Sequence, residues 1–319
     1  MRNGTSDAAL LGVAMVWGSS YLAIKQIASA DAVFALLAYR FAIAAMVLAV
    51  LLARRLRRMS VVDVVSGVLG GTVLWAVCVS ETFGVAMTSA SNAGLLMSLA
   101  IVLTPIVQGP RSVPARFYAA TLVVLAGCAM LTQSGGFGAL GRGDLMICVA
   151  AILRAVHVVT LARLAAGRSL DPARSTLVQL GTVALFSAGF AACGGHSLPG
   201  LAATMAPGDW LVVLYLALVC TVFAFLVQSL AVQHSTGARV SLLLGTEPLW
   251  AAMFGVAVGG DAVTAMGVGG VAVVVGGTFW GRRVLTSANE KTPRIYPSKS
   301  HEAAIFDQET KPPKTYITI

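Results

Sequence analysis

The chain has 319 residues, of which 57% are hydrophobic and 11% charged, with a formal net charge of +9. A soluble domain carries about 25% charged residues, so this composition cannot clothe a water-facing surface. It excludes a soluble enzyme, and it excludes a nucleic-acid-binding domain built on a basic face. Apolar blocks near or above the length of a membrane span dominate, without the period-two alternation of a membrane barrel. The chain therefore reads as an all-α integral membrane protein.

The first segment, "MRNGTSDAALLGVAMVWGSSYLAIKQ", lacks a strongly basic start and a convincing cleavage site, so it is expected to be a retained helix rather than a signal peptide. Ten transmembrane helices are expected in all, at 8–28, 32–53, 62–82, 88–108, 115–133, 143–164, 173–193, 209–232, 237–258 and 262–281. The breaks fall at "ARRLRRMS", "GPRSVPAR", "QSGGFGALGRGD", "AAGRSLDPAR", "CGGHSLPGLAATMAPGDW" and "GGD". The breaks around Phe83 to Ser89 and Gln233 to Gly237 are weaker.

Charge sets the orientation. Apart from Lys25, Arg40, Arg142 and Arg154, all of the 22 Lys and Arg fall on one side of this arrangement. The positive-inside rule puts that side, and both termini, in the cytoplasm of a cell (plasma or inner) membrane protein. The even helix count agrees. Cys78, Cys128, Cys148, Cys193 and Cys220 are scattered singly through apolar segments, as small hydrophobes rather than ligands or disulfides. Gly67/Gly71, Gly255/Gly259 and Gly277/Gly281 have the spacing that lets helices approach closely, within the bundle or between copies. Residues 284–319 are polar and proline-containing, and read as a disordered cytoplasmic tail.

The two halves resemble each other. "SADAVFALLAYRFAIAAMVLAV" lies against "SLDPARSTLVQLGTVALFSAG". "LLGVAMVWGSSYLAIK" lies against "LMICVAAILRAVHVVTLA" and sets Trp17 opposite Arg154. "SASNAGLLMSLAIVLTP" parallels "STGARVSLLLGTEP". Five helices per half invert the second half in the bilayer, giving repeats at 1–133 and 134–283. Inverted repeats suit alternating access, with a site near the midplane where the halves meet.

"VWGSSYLAIK", the "YRF" of the second helix, "TSASNAGLLMSLAIVLTP" and "GTEPLWAAMFGVAVGGD", in this order and spacing, resemble the EamA type of the drug/metabolite transporter (DMT) superfamily. The resemblance covers about 8–281. It implies a 5+5 inverted-repeat bundle around a central cavity that exports small metabolites such as amino acids or amphipathic compounds. Two positions depart from the pattern. Arg154 stands where an aromatic is expected, and Asp261 stands where Glu is commoner, whereas Glu247 before Pro248 follows it.

Charges inside a membrane are costly and mark function. Arg154 lies about 16 Å into its helix and Arg40 about 12 Å into its own, at 1.5 Å per residue. His157 shares the Arg154 face at i+3. Glu247 sits at mid-depth beside Pro248, which removes a backbone bond and can open the helix locally. Trp17, Tyr21 and Lys25 share one face of the first helix. The functional reading is a substrate-binding site of Trp17, Tyr21, Arg40, Arg154 and His157. The two arginines would fork onto a carboxylate or other anion, and the two aromatics would form a wall. Glu247, Glu81 and Lys25 are candidates for proton coupling or gating, with His157 as a second proton carrier, because carboxyl and imidazole groups can change charge in place. The structural alternative is that Arg40 and Arg154 pair with Glu247 or helix carbonyls and lock helix contacts. Lys25 and Glu81 would then be interface anchors.

No GxSxG, HExxH, P-loop or paired acidic motif lies on the spans, so neither catalysis nor a cofactor or metal is expected. The expected partners are a small-molecule substrate and the lipid bilayer, with no nucleic acid. The function read from the sequence is a secondary transporter exporting amino acids or other small carboxylate-bearing or amphipathic compounds by alternating access. A lipid-carrier flippase or multidrug exporter is the rival within transport, and a membrane scaffold or receptor the rival outside it.

Overall fold

A computed structural model describes residues 3–88, 90–109, 113–132, 141–166, 170–194, 198–257 and 264–291. Every regular element among them is helical. In chain order these are α1 (Asn3–Ile27), α2 (Val33–Leu51), α3 (Val61–Met87), the broken pair α4a (Ala90–Met97) and α4b (Ala100–Gln108), α5 (Ala115–Thr132), α6 (Arg142–Ala165) and α7 (Pro172–Cys193). There follow α8a (Pro207–Ala217), a π-helical stretch (Leu218–Phe223) and α8b (Ala224–His234). The broken pair α9a (Gly237–Leu244) and α9b (Glu247–Ala257) and then α10 (Ala265–Lys291) are the last described elements. Short helical turns lie between several of these.

Local chemistry sets the starts. The Ser60 hydroxyl accepts from the Asp63 amide while the Asp63 carboxylate accepts from the Ser60 amide, a reciprocal cap at the start of α3. The Asp171 carboxylate accepts from the amides of Ala173 and Arg174 ahead of α7, with Pro172 at the first helical position. In α9 the helix breaks at Gly245–Thr246, just before Pro248, as its missing amide hydrogen leads one to expect. In α4 the break falls at Ser98–Leu99, upstream of Pro105, and no sequence signal announced it.

Six helices are long and apolar enough to cross a membrane: Ser6–Ile27, Val33–Leu51, Val61–Met87, Arg142–Ala165, Pro172–Cys193 and Pro207–Gln233. Two shorter apolar helices accompany them, Ala93–Gln108 and Ala115–Met130. The outer surface is apolar as well. Val50, Leu51, Leu185 and Leu211 are all about two-thirds or more exposed, a surface that only lipid solvates well. The protein is a multi-pass membrane protein.

Helix α3 packs along α6 and α7, α2 along α7, α1 along α9b, and α5 along α10. Lipid tails are as apolar as leucine, so close approach and buried polar bonds hold such helices together. Gly18 illustrates the first. A Cβ there would lie 2.7 Å from the Glu247 carbonyl oxygen, so α1 and α9b touch backbone to backbone. Gly67 and Gly71 seat α3 on Val178 and Thr182 of α7, and Gly277 and Gly281 seat α10 on Val124 and Leu242. These pairs serve packing within the bundle. Gly259 and Asp261 lie outside the described residues, as do His196 and His301.

Two charge clusters tie helix ends together. Buried Asp7 accepts from Arg239 (2.7 and 3.1 Å) and from Arg282, joining α1, α9a and α10. Arg174 bridges Asp63 and Asp171 (3.3 and 3.2 Å), joining α3 to α7.

Three expectations need correction. Helix α3 continues to Met87 rather than ending at 82, because Lys25 supplies donors for its last carbonyls. Helix α10 continues to Lys291, so residues 284–291 are helix rather than tail. The eighth segment is not regular α-helix throughout, since it winds through a π stretch at Leu218–Phe223.

Candidate functional site

Arg154 occupies the middle of α6, and its buried guanidinium reaches two carboxylates. Nη1 donates to Glu247 Oε2 at 2.8 Å and Nη2 to Glu81 Oε2 at 3.2 Å. Its Cζ lies 4.6 Å from the Trp17 ring centroid, a cation–π contact that strengthens when desolvated. The Tyr21 hydroxyl donates to the other oxygen of Glu247 at 2.5 Å. Thus α1, α3, α6 and α9b each contribute a side chain to one buried cluster.

The helix break positions Glu247. It is the first residue of α9b, where unpaired amide groups and the helix dipole favour negative charge. Glu247 therefore has three sources of stabilisation: the dipole, Tyr21 and Arg154. Among the described residues the Glu81 carboxylate pairs with Arg154 alone, and its side chain is the more exposed of the two (13% against 4%).

The breaks in α4 and α9 face one another. A Cβ on Gly245 would stand 2.0 Å from Ile101 Cδ1, and the Thr104 and Ser241 hydroxyls bond at 2.7 Å. A water-sized cavity between them is bordered by Ser98, Ile101, Gly245, Glu247 and Arg154. A second, also lined by Arg154, is bordered by Trp17, Ser20, Arg40, Cys78 and Glu81. Arg154 thus borders both.

Arg40 reaches the second cavity from α2. Its Nε donates to the Thr221 hydroxyl at 2.9 Å, its Cζ lies 5.3 Å from the Phe41 ring, and it makes no ion pair among the described residues. The π stretch serves this contact. The Thr221 hydroxyl donates back to the Leu216 carbonyl and accepts from Arg40, and the Cys220 carbonyl accepts from Trp17 Nε1 at 2.9 Å. A regular helix would spend that carbonyl internally.

The remaining expected residues fall elsewhere. His157 turns toward α7, with Nε2 3.0 Å from Gln179 Oε1 and its ring edge-on to Phe225, and it borders neither cavity. Sharing a helix face with Arg154 did not bring it to the same space. Lys25 and Glu81 do not pair with each other. Lys25 Nζ donates to the carbonyls of Val85, Ala86 and Thr88 (2.8–3.2 Å), capping the end of α3. Thr221 and Gln179 were missed by the sequence reading. Gln179 left a signal, an amide in the apolar run "TLVQLGTVAL", whereas Thr221 left none.

The cluster thus joins a buried arginine, two glutamates and a double helix break, with a second arginine on a neighbouring cavity. Residues 141–281 match the family model described as the EamA-like transporter family. The match lies mostly in the second half of the chain, which is similar to this family there. EamA-type proteins are membrane transporters of the DMT superfamily rather than enzymes, and the apolar helices of this chain fit that class. A solved crystal structure shares the fold of this chain, with a TM-score of 0.68 at 21% identity, over 91% of this chain and 99% of that one. A comparison with curated proteins found no match.

Proposed function

We propose that this protein is an EamA-type secondary transporter that exports small carboxylate-bearing metabolites, amino acids among them. It does so by alternating access between two inverted five-helix repeats, residues 1–133 and 134–283. In this reading both termini face the cytoplasm across the cell membrane, in keeping with the distribution of Lys and Arg.

The observation that carries the proposal is the unpaired, buried Arg40 on the same cavity as Arg154 and Glu81. A guanidinium in a low-dielectric site without an acid beside it favours an incoming anion. Trp17 forms the apolar wall of that cavity, and Tyr21 holds Glu247 in place behind it. Two arginines and two glutamates balance, so an added carboxylate leaves one negative charge in excess. A proton on Glu81, the less anchored carboxylate, removes the excess and couples the proton to transport. His157, bonded to Gln179, has no part in substrate contact here, and Lys25 is a cap rather than a gate.

The test is a thermal-shift series on purified protein with amino acids, organic acids and cationic drugs, followed by flux in proteoliposomes. A ligand of the folded form raises its melting temperature by mass action. Stabilisation by carboxylates, lost in Arg40→Gln, is expected. Stabilisation by cationic drugs alone would overturn the anion site.

A further inference from the structure

A third cavity lies away from the charged cluster, where α6 ends, α7 begins and α8b runs past them. It is bordered by Leu161 of α6, Ser175 and Gln179 of α7, and Ser229, Val232 and Gln233 of α8b. Its polar border consists of hydroxyls and amides, with no charge. Ser175 and Gln179 are each 2% exposed, yet Ser175 Oγ and Gln179 Nε2 have no hydrogen-bond partner. Orphaned polar atoms in a membrane protein cost free energy, and two at one cavity need one explanation.

We propose that this chamber is a water-binding site, a hydrated antechamber to the transport site. Its chemistry selects a neutral molecule that both donates and accepts, since uncharged amides and hydroxyls would not offset the desolvation of an ion. The polar groups of Ser175, Gln179, Ser229 and Gln233 supply the several partners that a buried water requires. From the chamber the hydrogen-bonded path continues through Gln179 Oε1 to His157 Nε2. There it meets a partition. The Phe225 ring packs against His157 on one side and borders the Arg40 cavity on the other. The Gln179–His157 bond and Phe225 thus separate a wet chamber from the charged centre. Only the term antechamber rests on reading that centre as the transport site; the hydration does not.

Hydroxyl-radical labelling by X-ray radiolysis of the purified protein in lipid nanodiscs, read residue by residue by mass spectrometry, tests this. Radicals formed from bound water oxidise the side chains next to it. Leu161 and Val232, which border the chamber, and His157, bonded to its Gln179, are expected to be labelled several-fold above Leu180 and Val183, which are also buried, on α7, and do not border it. Equal, background labelling of all five overturns the proposal. Gln179→Leu should lower the His157 labelling, and Phe225→Ala should raise labelling of Trp17 by opening the partition. Unchanged Trp17 labelling in a folded Phe225→Ala protein would refute the partition. Should the labelling stand while no substrate flux is found, the transport reading fails and the water site remains.

Discussion

The guanidinium of Arg154 lies over the ring of Trp17, 4.6 Å from its centroid. These two positions are the ones the internal alignment sets opposite each other. Counterparts of two related halves can touch only close to the axis relating them. On the proposed inverted repeat the contact falls close to that axis, an aromatic from one half meeting a cation from the other.

Removing the cation should be costly. Arg154→Ala strands the buried Glu247 and the partly buried Glu81, and breaking a buried pair from one side typically costs about 3–5 kcal/mol. Chemical unfolding in detergent should register a loss of this size. Adding Glu81→Gln and Glu247→Gln to the same chain should recover much of it. A triple variant no more stable than Arg154→Ala would mean that the carboxylates are not what the arginine stabilises.

Tyr21→Phe removes one bond to Glu247 without changing the ring. A hydrogen bond to a charged group contributes about 1.5–3 kcal/mol, and the variant should lose stability in that range. In Glu247→Gln the same tyrosine change should cost less. A double-mutant cycle measures the difference, and additive losses would argue against the bond.

Lys25→Met separates a cap from a gate. The three carbonyls at the end of α3 lose their donor, so stability should fall by roughly 1 kcal/mol. Ligand-induced thermal shifts should stay as in the parent. A folded variant that no longer responds to ligand would return Lys25 to the site.

Gly245→Ala would drive a methyl group into Ile101, and overpacking of this kind costs about 1–3 kcal/mol. Ile101→Val shortens the side chain at the point of collision and should restore part of the loss. Absence of any rescue in the double variant would place the origin of the loss in the α9 backbone instead.

The positions of the helices were legible because a membrane demands long apolar runs. The costly charges Arg40, Arg154 and Glu247 stood out for the same reason. Partners were harder to read. Glu81 seemed to belong at a helix end because α3 was expected to stop at 82; its five further residues to Met87 move Glu81 inward to meet Arg154. His157 shows the limit of face arguments, since two side chains one turn apart on α6 reach different neighbours. The Arg40–Thr221 bond depends on a π turn that leaves no periodic trace in "LVCTVF".

That π turn amounts to a surplus residue wound into α8. Deleting one residue between 218 and 223 would rotate everything beyond it by about 100°. Trp17 would lose its carbonyl, and Ser229 and Gln233 would swing away from α7. The residue count of this helix is therefore a functional quantity in itself, and single-residue deletions there should be as damaging as the loss of a binding side chain.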